Sequence, residues 1–354
     1  MARSSYFRPC IDAMDGYVPG AQPRGRTYVK LNANENPFPP SPRVIEALHA
    51  AVSDRLRLYP DAMASELRER IAALHGLAAE QVLVGNGSDD LLTMILRSFV
   101  GEGETVAAPR PTYPLYEVLV AIQGGRMVWV DFPDDFSLPP GLADTGARVT
   151  FVANPNSPSG TWIEPDDIAG LAERLDSILV VDEAYVDFAD GDCTGLLGRY
   201  PNVIVLRSFS KSYSLAGVRL GYCLASEAII SGMIKVKDSY NVNRFAIAAG
   251  LAALDDIETM RANAATIRAE RERVTAALRD MGLFVYPSQA NFVAVRTTAP
   301  NAHDVGAALD ADGILVRTFG DPRLADWVRI TIGRPEDNDR VLAGVRRLLE
   351  GSAS

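Results

Sequence analysis

The sequence predicts an α/β protein whose larger part is a mostly parallel sheet covered by helices. Short apolar runs alternate with longer amphipathic stretches from Gln81 to Cys223, a pattern typical of strands joined by helices. After about Asn243 the pattern changes to long helical stretches, further strand candidates and a final helix. This change indicates a second, smaller α+β domain at the C-terminus.

The strand candidates of the larger part are apolar along most of their length, which indicates that most are buried on both faces. The helical stretches between them carry apolar residues three and four positions apart, as helices packed on a sheet require. The strand candidates are residues 81–85, 104–109, 126–132, 148–155, 177–185, 202–210 and 217–225, then 291–297, 313–319 and 327–333; the helical stretches are residues 89–100, 113–124 and 165–175, then 246–260 and 265–282.

The chain of 354 residues is long enough to form two domains. Its first thirty residues are interrupted by proline and glycine and have no clear periodicity, which predicts an arm that packs on another surface. We therefore predict an N-terminal arm at residues 1–30, a large domain at residues 31–245 and a small domain at residues 246–354.

Composition excludes several classes of function. The net charge of -10 argues against broad contact with nucleic acid or an anionic membrane. The three cysteines lie far apart without CxxC spacing and the three histidines are isolated, so we expect neither a disulfide framework nor a metal site. No apolar run has the length of a membrane span, and the N-terminus lacks the apolar core of a signal peptide. A cytoplasmic protein is the expectation.

Lys211 is the first candidate for a catalytic residue. It follows the strand candidate at residues 202–206 and lies among serines, before a turn that contains glycine. In α/β sheets, ligands bind at the carboxyl ends of the strands, so a lysine at this position is well placed to act on one. A solvated loop lysine is the alternative, and the motifs around Lys211 decide between the two.

Asp182 ends another apolar strand candidate and is followed by Glu183 and Tyr185. A carboxylate buried at this position needs a partner, because burying an unpaired charge is costly. A protonated pyridine nitrogen is a suitable partner, since an aspartate beside it keeps the ring cationic and makes it a better electron sink. Metal binding is a weak alternative because the chain has no GxxxxGK[ST] loop, and an ordinary helix cap is a third interpretation.

Two turns supply candidate groups for the same ligand. Asn154 enters a turn rich in proline and glycine. Its amide is placed there to donate a hydrogen bond to a phenolic oxygen of a ligand that also carries the pyridine nitrogen. Near Gly87 a strand candidate passes into Ser88 and Asp89 at the start of a helix. The free N–H groups at the start of a helix favour a phosphate, and Arg219 is a candidate for its countercharge. Taken alone, the first segment is an ordinary turn, and a cap at Ser88 or Asp89 explains the second equally well.

Together these segments resemble the fold-type-I pyridoxal-phosphate-dependent aminotransferases, in the family's order and over nearly the whole chain. The motifs that carry the resemblance are GNGSDD, PTYPLY, NPNSPSG, DEAYVDF and SFSKSYSLAGVRLGY. Within this class the sequence looks most like the histidinol-phosphate aminotransferases, because of AMDGYVPG, LNANENPFPPSP, LYPD, GILVRTF and WVRITIG. The resemblance implies a large domain with a mostly parallel seven-stranded sheet, and pyridoxal 5′-phosphate as the cofactor.

The resemblance implies a role for each motif residue. Lys211 would hold the cofactor covalently and move a proton between the substrate Cα and the cofactor C4′, while Asp182 would pair with the pyridine nitrogen. Asn154 and Tyr185 would bind the phenolic oxygen, and the ring of Tyr113 would stack on the cofactor. The residues implied to surround the phosphate are Gly87, Ser88, Asp89, Ser208, Ser210 and Arg219.

The resemblance also implies an anion pocket and a partner subunit. Arg329 matches the arginine that binds the anionic group of the substrate, and Arg317 and Tyr17 would complete that pocket. Without the resemblance, an edge-strand arginine such as Arg317 is more often a surface residue. Tyr59, in RLYPD, matches a tyrosine that reaches the cofactor phosphate of a neighbouring subunit, which implies a homodimer with shared active sites.

The activity implied is transamination between L-histidinol phosphate and 2-oxoglutarate, which gives imidazole acetol phosphate and glutamate in histidine biosynthesis. The same architecture also suits an aromatic amino acid aminotransferase, and an enzyme similar to threonine-phosphate decarboxylase shares the fold. A cofactor-binding regulator would carry a separate basic DNA-binding region, of which the sequence shows no sign. The polar run at residues 34–36 would lie near the substrate entrance, although such a run also makes a plain turn.

Overall fold

The protein is described by a computed structural model at residues 6–17, 20, 22 and 27–352. In chain order the strands are β1 (Val29–Lys30), β2 (Val82–Gly85), β3 (Thr105–Arg110), β4 (Arg126–Asp131), β5 (Val149–Ala153), β6 (Ile178–Asp182), β7 (Val203–Ser208), β8 (Gly221–Ala225), β9 (Phe284–Val285), β10 (Phe292–Arg296), β11 (Ile314–Leu315) and β12 (Trp327–Thr331). The α-helices are α1 (Pro9–Asp12), α2 (Pro42–Ala51), α3 (Ser65–His75), α4 (Ser88–Phe99), α5 (Leu115–Gln123), α6 (Pro165–Arg174), α7 (Glu227–Ile234), α8 (Arg244–Asp255), α9 (Ile257–Asp280), α10 (Ala302–Ala311) and α11 (Pro335–Ser352).

Strands β2 to β8 form one sheet of seven strands in the order β2, β8, β7, β6, β5, β3, β4. Strand β8 runs antiparallel to both of its neighbours, and the other adjacent pairs are parallel. The predicted α/β fold class with a mostly parallel sheet is therefore confirmed. Because parallel strands end at the same edge of a sheet, Ala153 lies beside Asp182 and Asp182 beside Leu206. The ends of β5, β6 and β7 therefore lie side by side at this edge.

Alternate residues of the buried strands face two separate cores. In β6, Leu179 and Val181 belong to a cluster with α6 and α8, whereas Val180 belongs to a second cluster with α4 and α5. Side chains alternate along a strand with a period of two. Helices on both faces therefore explain why these strands are apolar at nearly every position, and the sheet is the middle of three layers.

The C-terminal part contains an antiparallel sheet in the order β12, β10, β9. The predicted strand at residues 313–319 is only partly correct. Its first residues form β11, which pairs in parallel with β1, and the chain then changes partner, so that Arg317 makes an isolated bridge with Arg329 of β12. This change of partner interrupts the strand and brings the two arginines opposite each other.

The predicted helical stretch at residues 246–260 is two helices, so its continuity was predicted wrongly. Helices α8 and α9 are separated by Asp256, whose φ of −131° and ψ of 48° lie outside the helical region. Its carboxylate accepts hydrogen bonds from Thr259 Oγ1 (2.9 Å) and from the Ser41 hydroxyl. Such side-chain contacts offer the chain an alternative to a continuous helix.

The described residues of the predicted arm contact the rest of the molecule at both ends of the arm. Helix α1 lies beside α5, where Arg8 donates to the carbonyl of Ile122 (2.5 Å), and β1 pairs with β11. The rest of the arm, residues 1–5, 18, 19, 21 and 23–26, lies outside the described residues. The domain boundaries at residues 30 and 245 stay predictions.

In the part of the chain that the structure describes, no helix is both long and apolar enough to cross a membrane. The same residues contain no group of three or more potential ligands that could hold a metal ion.

Candidate active site

A cavity of about 510 Å³ opens at the carboxyl edge of the seven-stranded sheet. One side is lined by residues at the ends of β5, β6 and β7, and the other by β12 and the loop before it. The cavity therefore lies between the large sheet and the C-terminal sheet. The predicted site residues in its wall are Tyr17, Ser88, Asp89, Tyr113, Asp182, Tyr185, Ser208, Ser210, Lys211, Arg219, Arg317 and Arg329.

Lys211 lies just beyond the end of β7, in the wall of the cavity. Its Nζ donates a long hydrogen bond (3.4 Å) to the carbonyl of Ala33 and lies 5.4 Å from the ring centroid of Tyr185. The backbone at this position is firmly held, because Asn36 Nδ2 donates to the carbonyls of both Lys211 and Ser212 (3.0 Å each). A fixed backbone with a weakly bonded amine leaves that amine available to a ligand.

Asp182, the last residue of β6, is buried beneath the cavity. Its Oδ2 accepts a hydrogen bond from the Tyr116 hydroxyl (2.7 Å), and Oδ1 accepts one from the Ala184 N–H (3.2 Å). Burial raises the pKa of Asp182 to about 6, although the bond from Tyr116 acts in the opposite direction. A buried carboxylate held by two neutral donors is a suitable partner for a cationic ring nitrogen.

The hydroxyl oxygen of Tyr185 accepts a hydrogen bond from Asn34 Nδ2 (2.9 Å). The ring of Tyr185 meets Phe292 edge to face, with 5.2 Å between the ring centroids. Burial alone would raise the pKa of Tyr185, but the cations of Lys211 and Arg329 and the bond from Asn34 lower it overall. The hydroxyl is therefore a stronger donor than that of an ordinary tyrosine.

The first turn of α4 and the side chain of Arg219 form a corner of the cavity. Gly87, at the N-cap, has no side chain to cap the free N–H groups at the start of the helix. Arg219 Nη2 lies 3.3 Å from Asp89 Oδ2, and Nη1 lies 3.4 Å from Ser210 Oγ. A Cβ on Gly87 would lie 2.5 Å from Arg219 Nη2, so a larger residue would close the corner. Free N–H groups, hydroxyls and a guanidinium together suit a phosphate.

Arg219 itself has a φ of +60°. This conformation is unfavourable for residues other than glycine, and such residues cluster at functional sites. The strained backbone holds the guanidinium in the corner beside α4.

Arg317 and Arg329 form the opposite end of the cavity. Their backbones exchange two hydrogen bonds, of 3.0 and 2.8 Å. The partly buried guanidinium of Arg329 donates to Ser157 Oγ and to the carbonyl of Asn32 (3.1 Å each), and it lies 5.2 Å from the ring centroid of Phe292. Its Nε is buried with no hydrogen-bond partner in the described part of the chain. Two guanidinium groups at the same end of the cavity favour an anionic ligand.

Tyr113 lies between two other tyrosines. Its ring meets Tyr17 (6.1 Å between centroids) and Tyr116 (5.5 Å) edge to face, and its hydroxyl lies 3.4 Å from Asp89 Oδ1. Burial raises the pKa of Tyr113 well above its usual value. The ring is thus a fixed, neutral surface in the cavity wall, which is suitable for stacking.

Three predicted residues lie outside the cavity wall. Gly87 is directly behind it, against Arg219. Asn154 is buried, and its amide oxygen and nitrogen both bond to the backbone of Ile163 (2.8 Å each). Its amide therefore holds the turn after β5, and its contact with a cofactor stays a prediction. Tyr59 is 77% exposed and stacks on Tyr240 (4.3 Å between centroids), so its role in another subunit also stays a prediction.

Tyr116 and Asn34 bond to site residues, and neither bond was predicted from the sequence. Tyr116 was treated as part of a helical pattern, although a tyrosine on the buried face of a helix needs a partner for its hydroxyl. In the predicted helical stretch at residues 113–124, Tyr116 lies three positions after Tyr113, and residues at this spacing share a helix face. This spacing was the available sign that Tyr116 lies close to the site. Asn34 was placed near the entrance without a role, and its contact with Tyr185 spans 151 residues.

Known proteins are similar to this chain in both fold and sequence. The family described as aminotransferase class I and II matches residues 26–345, and this chain belongs to that family. It is 40% identical to histidinol-phosphate aminotransferase 1 of Trichormus variabilis over 98% of this chain and 99% of the relative. It is 42% identical to the histidinol-phosphate aminotransferase of Syntrophotalea carbinolica over 96% of this chain and 98% of the relative.

Among solved structures, the fold matches histidinol-phosphate aminotransferase from Sinorhizobium meliloti in complex with pyridoxal-5′-phosphate. The TM-score is 0.90, with 31% identity and 99% of both chains covered.

The cavity fits pyridoxal phosphate, the cofactor that the sequence resemblance implies. The corner at α4 suits its phosphate, because a Cβ on Gly87 would fill the space beside Arg219. Asp182 suits the ring nitrogen, and the weakly bonded amine of Lys211 suits the aldehyde.

Proposed function

We propose that this protein transfers an amino group between L-histidinol phosphate and 2-oxoglutarate, with pyridoxal phosphate as cofactor. The observation that carries the proposal is one cavity that contains Lys211, Asp182 and the incompletely bonded guanidinium of Arg329. Relatives that are 40% and 42% identical over nearly the whole chain are named histidinol-phosphate aminotransferases, which supports this choice of substrate. The reaction belongs to histidine biosynthesis.

When bound, pyridoxal phosphate supplies an electron sink for the bond that breaks at the substrate α carbon. Asp182 provides a negative charge for the ring nitrogen, and the donors Tyr116 and Ala184 keep that carboxylate in one orientation. Tyr113 offers its ring for stacking. The residues assigned to the phosphate are Gly87, Ser88, Asp89, Ser208, Ser210 and Arg219.

Lys211 carries the proton. Its amine has one long bond, to Ala33, so it can leave that position, take a proton from the substrate Cα and return it to a neighbouring atom. Tyr185 donates to the phenolic oxygen, and its donation is strengthened by the neighbouring cations. We assign Asn154 to the same oxygen.

One anion pocket serves both amino donors. A guanidinium binds a carboxylate or two phosphate oxygens with the same paired geometry. Arg329, with Arg317 and Tyr17, therefore accepts the carboxylate of glutamate in one half-reaction and the phosphate ester of histidinol phosphate in the other. Both the Arg329 guanidinium and the ring of Tyr17 lie in the wall of this cavity.

We also propose a cytoplasmic homodimer in which Tyr59 reaches the cofactor phosphate of the partner. Tyr59 belongs to a segment that exposes Leu56 (50%) and Leu58 (46%), and it stacks on the partly exposed Tyr240. Apolar side chains exposed together are typical of an interface. The three cysteines are free thiols, which fits a reducing compartment.

The visible absorbance of the bound cofactor tests the proposed reaction. The loaded protein is mixed separately with histidinol phosphate, phenylalanine or phosphothreonine, while absorbance and carbon dioxide are followed. We expect the fastest loss of the band with histidinol phosphate. A preference for phenylalanine would indicate an aromatic amino acid aminotransferase, and carbon dioxide from phosphothreonine would indicate a decarboxylase. A protein that never binds pyridoxal phosphate would contradict the assignment of the cavity.

A further inference from the structure

Asn34 connects the two sides of the cavity. It lies in the loop after β1, is 1% exposed and has a φ of +55°, a conformation that asparagine tolerates better than most residues. Its carbonyl accepts a hydrogen bond from Asn291 Nδ2 (3.0 Å), and its N–H donates to Thr331 Oγ1 (3.0 Å). The backbone of Asn34 is therefore fixed to the C-terminal sheet, while its side chain reaches Tyr185 at the end of the large sheet.

The hydrogen bonds around Asn34 fit the orientation that its amide has in the structure. Thr331 Oγ1 already accepts the Asn34 N–H, and it gives its own hydrogen to Asn34 Oδ1 (3.0 Å). The amide oxygen is thereby held on the Thr331 side, so Nδ2 faces Tyr185. Because an amide nitrogen donates and cannot accept, the Tyr185 oxygen is the acceptor in this bond. The hydrogen of the Tyr185 hydroxyl is left for another acceptor.

We propose that Asn34 is a positioning residue for Tyr185, and that Thr331 orients it so that the phenol donates its hydrogen into the cavity. Tyr185 lines that cavity beside Lys211. Thr331 lies two residues after Arg329 in β12, so one strand carries both the anion-binding guanidinium and the anchor of the phenol. The position of the C-terminal sheet therefore sets both groups at once.

Asn34 acts in addition to the charges around Tyr185. The cations lower the pKa of Tyr185 together with the Asn34 bond, whereas burial and the carboxylate of Asp182 raise it. Loss of the Asn34 bond should therefore raise the pKa of Tyr185 while the effect of the cations remains. The charged and titratable groups that face Tyr185 are Lys211, Arg329, Asp182, Tyr17, Tyr113 and Tyr116.

Titration of the cofactor-free protein tests this inference directly. Asn34→Gly removes the amide and tolerates the positive φ, while Asn34→Asp keeps the size and removes the donor. Phenolate absorbance is followed against pH. The titration curve of the same variant with Tyr185→Phe added is then subtracted, so that the difference reports the pKa of Tyr185 alone. We expect both Asn34 variants to raise the pKa of Tyr185. An unchanged titration in folded Asn34→Gly and Asn34→Asp protein would overturn the inference.

A second pair of variants keeps the test decisive if the Asn34 variants do not fold. Thr331→Val removes the hydroxyl at nearly constant size, and Thr331→Ser retains it. The pKa of Tyr185 should rise in Thr331→Val and return to the parent value in Thr331→Ser. Equal titrations in the two Thr331 variants would contradict the orienting role of Thr331.

The kinetic part of the inference rests on the proposed function, whereas the titration does not. In the loaded protein, Asn34→Gly should lower kcat roughly tenfold, the value of about one hydrogen bond. The KM for glutamate should change less than about twofold, because Arg317 and Arg329 are intact. A shifted titration with unchanged kcat would overturn the catalytic part. If the parent protein does not transaminate, the proposed function fails while the titration still decides the role of Asn34.

Discussion

The large-sheet side of the cavity is built on the ends of neighbouring parallel strands, whereas the C-terminal side depends on contacts between the two ends of the chain. Beside Asp182, the buried Glu183 of the first side pairs with Arg207 at the end of β7 (2.8 Å). On the second side, Arg329 bonds to the carbonyl of Asn32, which is 297 residues away. The first side carries the groups for proton transfer and the second the groups for substrate anions. Changes on the two sides should therefore affect different kinetic constants.

The largest effect is expected for Lys211→Ala, on the large-sheet side. The variant lacks the proton carrier and the covalent attachment of the cofactor, so kcat should fall by roughly 10⁴-fold or more. The visible absorbance of the bound cofactor should disappear at the same time. Lys235→Ala, at an exposed position after α7, is the matched control and should behave as the parent. Retained turnover in Lys211→Ala would contradict the assignment of Lys211 as the residue that binds the cofactor and carries the proton.

The Asp182→Asn variant separates catalysis from stability. It keeps the shape of the side chain but loses the charge assigned to the ring nitrogen, so we expect kcat to fall by about 10²-fold. The cofactor-free variant should be more stable than the parent at pH 7, by about 1–3 kcal/mol in free energy of unfolding. The reason is that burial raises the pKa of Asp182 from 3.8 to about 6.

The sign of this stability effect follows from where the proton is held. Between about pH 4 and pH 6 the folded protein keeps the Asp182 proton that the unfolded chain has lost, so the stability of the parent falls as the pH rises through this window. The Asp182→Asn variant has no such loss. The difference between the two should therefore grow from about pH 4 to pH 6 and then remain constant, as measured by denaturant unfolding. A difference independent of pH would contradict the burial of a titrating carboxylate.

Substitution of Arg329, on the C-terminal side, should mainly change substrate binding. Arg329→Lys keeps the charge but loses the planar fork, and KM for glutamate should rise about 10- to 100-fold, as expected for loss of charge-assisted hydrogen bonds. The value of kcat should change much less than KM. Arg347→Lys, at an exposed ion pair with Asp312, is the matched control. A loss confined to kcat would mean that Arg329 serves the chemistry and not the substrate anion.

The difference between the two sides also explains how much the sequence could predict. The strands of the large sheet were predictable because burial on both faces makes all but the edge strand β4 almost entirely apolar, and a polar residue at the end of such a strand is conspicuous. Asp182 and Lys211 both have that local signal. The pairing of β11 with β1 and the bond that Thr331 donates to Asn34 have no such signal, because each joins residues far apart in the chain. The break at Asp256 involves the nearby Thr259 and also Ser41, which is 215 residues away in the chain.

Tyr116→Phe should give the smallest of these effects and tests whether the large-sheet side is as tightly held as the contacts indicate. The variant removes the hydroxyl that donates to Asp182 and leaves the ring between Tyr113 and Phe151, where centroids lie 5.5 and 4.7 Å away. Without that bond the pKa of Asp182 should rise further, since the bond lowers it.

We expect a two- to tenfold loss of kcat in Tyr116→Phe, of the order of one hydrogen bond, and an upward shift in the pH at which Asp182 affects stability. Tyr222→Phe is the matched control: it removes another buried hydroxyl, bonded to His75 (3.0 Å) and not part of the cavity wall, and should lower stability with kcat unchanged. Equal kcat values in the two variants would mean that Tyr116 only packs. A loss specific to Tyr116→Phe would mean that the carboxylate must be held by a side chain as well as by its own strand.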